Sequence, residues 1–144
     1  MGKKRIIRKS GGTVDQGLKS RSLARVAKRN IAIGHLFVQA TYNNTLVSLT
    51  DDKGGVVAWS SSGALGFNGA KKGTPFAAAK VGELVGEKAA IIGIKEVAVT
   101  IRGVGAGRES ALRGFASKGV DIIKISDDTP VPHNGPRPPK PRRI

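Results

Sequence analysis

From His35 onward the apolar residues fall at two spacings, and the alternation between them lays out the elements. HLFVQAT (35–41) and TLVSLTD (45–51) are rich in β-branched and aromatic residues and flank Tyr42-Asn43-Asn44, a turn signal, so they predict a hairpin. Asp51-Asp52-Lys53-Gly54-Gly55 reads as a second turn leading into VVAWSSS (56–62). A Gly/Ser-rich loop follows. Thr74 then offers an N-cap and Pro75 a first helical position, and Ala77, Val81, Leu84 and Val85 share one face of a helix expected to end near Gly93. Val97, Val99 and Ile101 alternate with Glu96, Ala98 and Thr100, which predicts a strand with one buried face. Beyond it Leu112, Phe115 and Ala116 give a second helix its apolar stripe, Gly119 a stop, and DIIKIS (121–126) the closing strand. Strand, helix and strand of these lengths make a parallel crossover. The fold class expected is α/β in a single domain, with a mixed sheet of an antiparallel meander plus a βαβ unit, two main helices, and extended basic N- and C-terminal arms.

Charge separates the arms from the centre. The chain has 144 residues and a formal net charge of +15, which calls for a polyanionic partner. Residues 1–30 carry ten basic and one acidic residue, residues 31–129 eleven and nine, and residues 130–144 four and none. Residues 1–30 lack a sustained apolar period, so they are expected to be a basic arm disordered when free, with a short helix near Ser22 to Arg29. Residues 31–129 are expected to form the globular domain. Residues 130–144 hold six of the seven prolines and are expected to run as an extended, polyproline-like tail.

The absence of cysteine excludes disulfides, thiolate zinc sites and cysteine nucleophiles. No apolar run reaches the roughly 18 residues of a membrane span, and Met1-Gly2-Lys3 fits neither a signal peptide nor a myristoylation signal, so a soluble protein inside the cell is expected, with no membrane partner.

The segment IRGVGAGRESALRGF (101–115) carries glycines at Gly103, Gly105 and Gly107, then Arg108 and a helix start, a composition that holds a phosphate through close backbone approach, helix dipole and a guanidinium fork. Its spacing fits neither a dinucleotide site, because Ser110 stands where the last glycine would be, nor a Walker loop. The competing reading is a tight turn beside a solvated arginine. The carboxylates fall in adjacent pairs in turns, His35 and His133 are isolated, and Ser60, Ser61 and Ser62 have no evident base, so no catalytic or metal site, cofactor or small-molecule substrate is expected. The loop from Gly66 to Gly73 joins backbone donors to Lys71, Lys72 and Phe67, a composition suited to RNA, with Phe67 either an exposed stacking ring or a satellite of the core.

In that order NNT (43–45), GFNGAKKGTPFAA (66–78), GxGxGRESALR (103–113) and DDTPVPHNGPRPPKPRR (127–143) resemble the small-subunit ribosomal protein S-eleven family across residues 31 to 144. The resemblance implies a compact α/β domain on the central domain of small-subunit rRNA, placed on the platform beside the mRNA exit path and the E site. Its partners would be that rRNA, neighbouring small-subunit proteins and mRNA, in the ribosome of the cytoplasm or of an organelle. The family's RNA-contacting pattern falls on Asn43, Asn44, Thr45, Gly69, Lys71, Lys72, Gly103, Gly105, Gly107, Arg108 and Arg113. In the tail it falls on His133, Asn134, Gly135, Arg137, Lys140, Arg142 and Arg143. The family commonly has proline where this chain has Val104 and Ala106, which predicts a softer glycine segment here. The alternative function is a free-standing RNA-binding regulator or RNA chaperone using the same basic surfaces.

Overall fold

The computed structural model describes residues 14–26 and 29–143. Helix α1 (Gln16–Ala24) precedes strands β1 (Ile33–Ala40), β2 (Thr45–Thr50) and β3 (Val56–Ser61). Two 3-10 turns, Gly63–Leu65 and Gly69–Gly73, lead into α2 (Pro75–Ile92), which is followed by β4 (Glu96–Gly103), α3 (Gly107–Ala116) and β5 (Asp121–Asp127). The five strands form one mixed sheet in the order β3-β2-β1-β4-β5. The meander β1-β2-β3 is antiparallel, while β1 pairs in parallel with β4 and β4 with β5. The α/β class, the meander and the βαβ unit are as the apolar spacing indicates.

Local chemistry sets the bounds of α2. The Thr74 hydroxyl accepts from Ala77 N at 3.3 Å, Pro75 occupies the first turn where a missing N–H costs nothing, and Gly93 at φ +95° ends the helix with its N–H on Ala89 O at 2.9 Å. Burial alternates along β1, with Leu36, Val38 and Ala40 under the helices and Ile33 and Phe37 on the open face. Val47, Leu49, Val97 and Val99 from the sheet meet Val81, Leu84 and Val85 of α2 and Phe115 of α3 to make the core. None of the described helices is long and apolar enough to cross a membrane.

The two long helices touch through glycine. A Cβ at Gly82 would lie 2.1 Å from Ala111 O, and one at Gly114 would lie 2.3 Å from Ala79 O. Backbones this close admit no side chain at either position.

Helix α1 begins earlier than the basic pattern suggests. Asp15 caps it, its carboxylate accepting from Gly17 N at 2.9 Å and Leu18 N at 3.4 Å, so the helix covers residues 16–24 rather than the neighbourhood of 22–29. Arg25 already closes it, and residues 27 and 28 lie outside the described part. Val14, Leu23, Val26 and Ile31 pack on the core, Asp15 N donates to Leu65 O at 2.9 Å, and Lys19 reaches Glu87 at 3.0 Å. The second half of the leading arm is therefore part of the packed body. Burial works to raise the Glu87 carboxyl, but Lys19 and Lys118 on either side outweigh it and hold the group below its usual range.

Candidate nucleic-acid interface

Three loops and the root of the tail meet at one end of the sheet, where β1 and β4 finish and β2 begins. The hairpin turn between β1 and β2 is closed by Thr41, whose N–H and hydroxyl both donate to Asn44 O, at 2.9 and 3.0 Å, while its hydroxyl accepts from Asn44 N at 3.1 Å. Tyr42 and Asn43 are left exposed at its tip and Asn44 half-buried beside them. Thr45 is fully buried, so its side chain faces the protein and leaves surface contact to its neighbours.

The lysine loop leans on this turn. A Cβ at Gly73 would lie 2.2 Å from Tyr42 O, so the glycine lets the Gly69–Gly73 segment seat directly against the hairpin. Lys71 is exposed, Lys72 half-buried, and Gly69 adopts φ +61° with open space around it. The Lys71 carbonyl is taken by the Thr74 N–H and hydroxyl at 3.3 and 2.7 Å, which joins the loop to the cap of α2. Phe67 is a core residue, 1% exposed, and packs edge-on against Phe76 at a centroid separation of 6.1 Å. The exposed aromatic here is Phe76, 57% open, with the Lys80 ammonium 5.7 Å from its ring centre. Helical periodicity gives no sign of this pair, because both residues lie in the first turns of α2 outside its buried stripe.

The glycines of residues 103–107 serve the protein's own packing. A Cβ at Gly103, which holds φ +104°, would meet Ala40 O at 2.1 Å, one at Gly105 would meet Thr41 O at 2.2 Å, and one at Gly107 would meet Thr45 Oγ1 at 2.3 Å. Gly105 N donates to Ala40 O at 3.0 Å and Gly103 N to Thr129 Oγ1 at 3.2 Å. The close approach these residues permit is thus to the end of β1 and the hairpin, and two of their three N–H groups are already engaged. These two bonds tie the segment down on either side of Val104.

Arg108 is likewise turned on the protein. Its guanidinium donates to Gly103 O, to Thr129 Oγ1 at 3.1 Å and to the Asp127 carboxylate, and so joins the ends of β4 and β5 to the residue from which the tail departs. Asp127 also accepts from the Thr129 hydroxyl at 2.6 Å and the Thr129 N–H at 2.9 Å. Hydrogen bonds from Thr129, first its hydroxyl and then its amide, followed by the Arg108 guanidinium, bring the Asp127 carboxyl down from 3.8 to about 2. The sign follows from the depression: the stability this carboxylate contributes is complete above its ordinary value and is lost as pH falls through about 2. In a carboxyl NMR titration Thr129→Val should move the Asp127 midpoint up toward its ordinary range, and Arg108→Gln should move it less. An unmoved midpoint in Thr129→Val would show that the Thr129 hydroxyl is not what holds the carboxylate ionised. The Asp127-Asp128 pair reads in sequence as turn carboxylates, which gives no sign of this arrangement.

Arg113 lies on the exposed side of α3 in an ion pair with Glu109, one turn away. Beyond Thr129 the described chain has no helix or strand, and His133, Asn134, Gly135, Arg137, Lys140, Arg142 and Arg143 are all exposed. Asn134 takes φ +59° in a bend with His133, a conformation asparagine tolerates better than most residues. The structure therefore brings Asn43, Asn44, Gly69, Lys71, Lys72 and the tail root to one end of the molecule. Thr45, Gly103, Gly105, Gly107 and Arg108 lie beneath as their support. Arg102, exposed at the end of β4 beside this group, carries charge that the strand pattern alone did not single out. A family model described as ribosomal protein S11 matches residues 34–143, from the second residue of β1 through the basic tail.

Proposed function

The chain belongs to the ribosomal protein S11 family, and from that premise we propose that it sits on the platform of the small subunit, beside the mRNA exit path and the E site. Membership itself makes it a small-subunit ribosomal protein that binds rRNA among neighbouring ribosomal proteins, with a structural rather than catalytic part in translation. The finer placement rests on resemblance over the four motifs. In this reading Asn43, Asn44, Gly69, Lys71, Lys72 and Arg113 contact the central domain of the rRNA, and the tail from His133 to Arg143 lies along its backbone, within reach of mRNA. Thr45, Gly103, Gly105, Gly107 and Arg108 hold those contacts in place from inside the protein. The globular unit is residues 31–129 with α1 added, and the ribosome is that of the cytoplasm or an organelle.

The observation that supports this reading is the convergence of the hairpin turn, the lysine loop and the tail root at one end of the sheet, with four basic residues leaving along the tail. Affinity for deproteinised small-subunit rRNA should depend steeply on salt. With six to ten phosphates engaged it should fall by roughly a thousandfold or more between about 50 and 200 mM, because each neutralised phosphate releases counterion. A nearly flat response would sink the proposed surface, and protein–rRNA crosslinks away from the central domain would sink the placement.

A further inference from the structure

Away from the end of the sheet described above, residues of α1 and of the edge strand β3 line a cavity of about 390 Å³. Leu18 and Val57 give it apolar walls, Arg21 and Arg25 stand on the α1 side, Trp59 lies on the β3 side, and Lys88 comes in from α2. Lys88 is 6% exposed, and its ammonium donates to Trp59 O at 2.8 Å. Among the described residues that carbonyl is its one acceptor, although an ammonium has three protons to give. The neighbouring carboxylate, Glu87, is already taken by Lys19 and Lys118, and no acidic side chain is among those lining the cavity. Burial pushes the Lys88 ammonium below its usual range.

A buried cation with unused donors, two arginines and an aromatic ring around a space of small-ligand size are the parts of an anion site with an apolar half. We infer that this cavity takes one nucleotide of the rRNA, its phosphate on Lys88, Arg21 and Arg25 and its base against Trp59 and the apolar wall. The inference rests on the rRNA-binding reading above and adds a contact on a different side of the molecule. The phosphate supplies the negative charge that Lys88 lacks within the protein, and offsets the desolvation of its ammonium. Nucleic acid is favoured over an acidic peptide because the cavity joins a flat aromatic to three cations, the pairing that a base with its phosphate satisfies together.

Trp59 is the only tryptophan in the chain, so its emission reports on this one position beside the cavity. The full-length protein would be titrated with deproteinised small-subunit rRNA, with binding followed by filter retention and the accessibility of Trp59 by acrylamide quenching. Binding should shield Trp59. Lys88→Met should weaken binding about tenfold and abolish the shielding, the size expected for one charge-assisted contact, with a melting temperature unchanged or raised. Arg21→Gln with Arg25→Gln, on the exposed side of α1, should act in the same direction and serves if Lys88→Met does not fold. Full affinity and intact shielding in both variants would overturn the inference, as would wild-type Trp59 that stays open to acrylamide while rRNA is bound. If Trp59 stays open on naked rRNA but is shielded in assembled small subunits, the occupant is a protein segment and the nucleotide assignment falls. Failure of the rRNA-binding reading would show separately, as no retention of rRNA at all.

Discussion

Removing residues 130–144 should lower affinity for small-subunit rRNA by about a hundredfold, some 2.7 kcal/mol, and leave the melting temperature where it was. Four basic residues leave with the tail, and at somewhat under ~1 kcal/mol for each phosphate contact they account for a loss of this size. The slope of log affinity against log salt should fall by up to about 3–4 at the same time. Stability should be untouched because residues 130–143 are exposed, and a cut after Thr129 keeps its bonds to Asp127, Gly103 and Arg108. Prolines that restrict the free chain reduce the entropy lost on docking, which strengthens the tail relative to its length. A truncated protein that binds with full affinity would assign the interface to the hairpin and the lysine loop alone. One that melts early would show that the tail packs on the body. The matching cut at the other end cannot be placed at residue 30 without cost, since Val14, Leu23 and Val26 pack on the core.

Gly82→Ala should be among the most damaging single changes in the protein, despite improving the helix propensity of α2. The propensity gain is about 1 kcal/mol. Against it stands a Cβ placed 2.1 Å from Ala111 O and 2.9 Å from Phe115 N, both backbone atoms of α3 that have no rotamer to escape into. Overpacking of this kind costs roughly 1–3 kcal/mol and more when backbone must move; at about 3–4 kcal/mol for this backbone clash, a net loss of about 2–3 kcal/mol is left after the propensity gain. For a chain of this length that corresponds to a melting temperature lowered by roughly 10 °C. Ala90→Gly, on the exposed side of the same helix, provides the contrast: it should cost about 1 kcal/mol through propensity alone. Calorimetry or thermal circular dichroism on the two variants decides the matter. If Gly82→Ala melts at or above the parent temperature, the two helices can separate without loss and their close contact is not what holds α3 on the sheet.

Most of the fold was legible because its signals are local. Thr74-Pro75 and Gly93 bracket α2, and the alternation from Glu96 to Ile101 marks a half-buried strand; both kinds of signal act within a few residues. The start of α1 was legible in principle through Asp15, but the basic residues around it draw the eye to charge rather than to the cap. What sequence could not convey is the partner of a close approach. Gly103, Gly105 and Gly107 announce that backbone must come near something, and a phosphate and a neighbouring strand make the same demand on the residue type. The register of β1 against β4 puts Ala40 opposite Gly103, and the packing of the hairpin puts Thr41 and Thr45 against Gly105 and Gly107. Arg108 was ambiguous for a similar reason, since a guanidinium fork satisfies a carboxylate and two chain oxygens as readily as a phosphate. Phe67 and Phe76 stand nine residues apart with the same side chain, and the tertiary packing of the Gly66–Gly73 loop decides which is buried.

The latch formed by Arg108, Asp127 and Thr129 gives the tail a definite point of departure, and that changes the kinetics of holding on. Residues 130–143, at up to about 3.1 Å each, reach at most roughly 40 Å from that root. Under the proposed two-part contact, once the body is docked the tail searches only a volume of that radius, so its local concentration at the rRNA is on the order of millimolar whatever the amount of protein in solution. Release then requires both attachments to open in the same interval. A body that lifts off is held by the tail and returns, and a tail that lifts off is held by the body, so residence time grows as a product of two modest affinities.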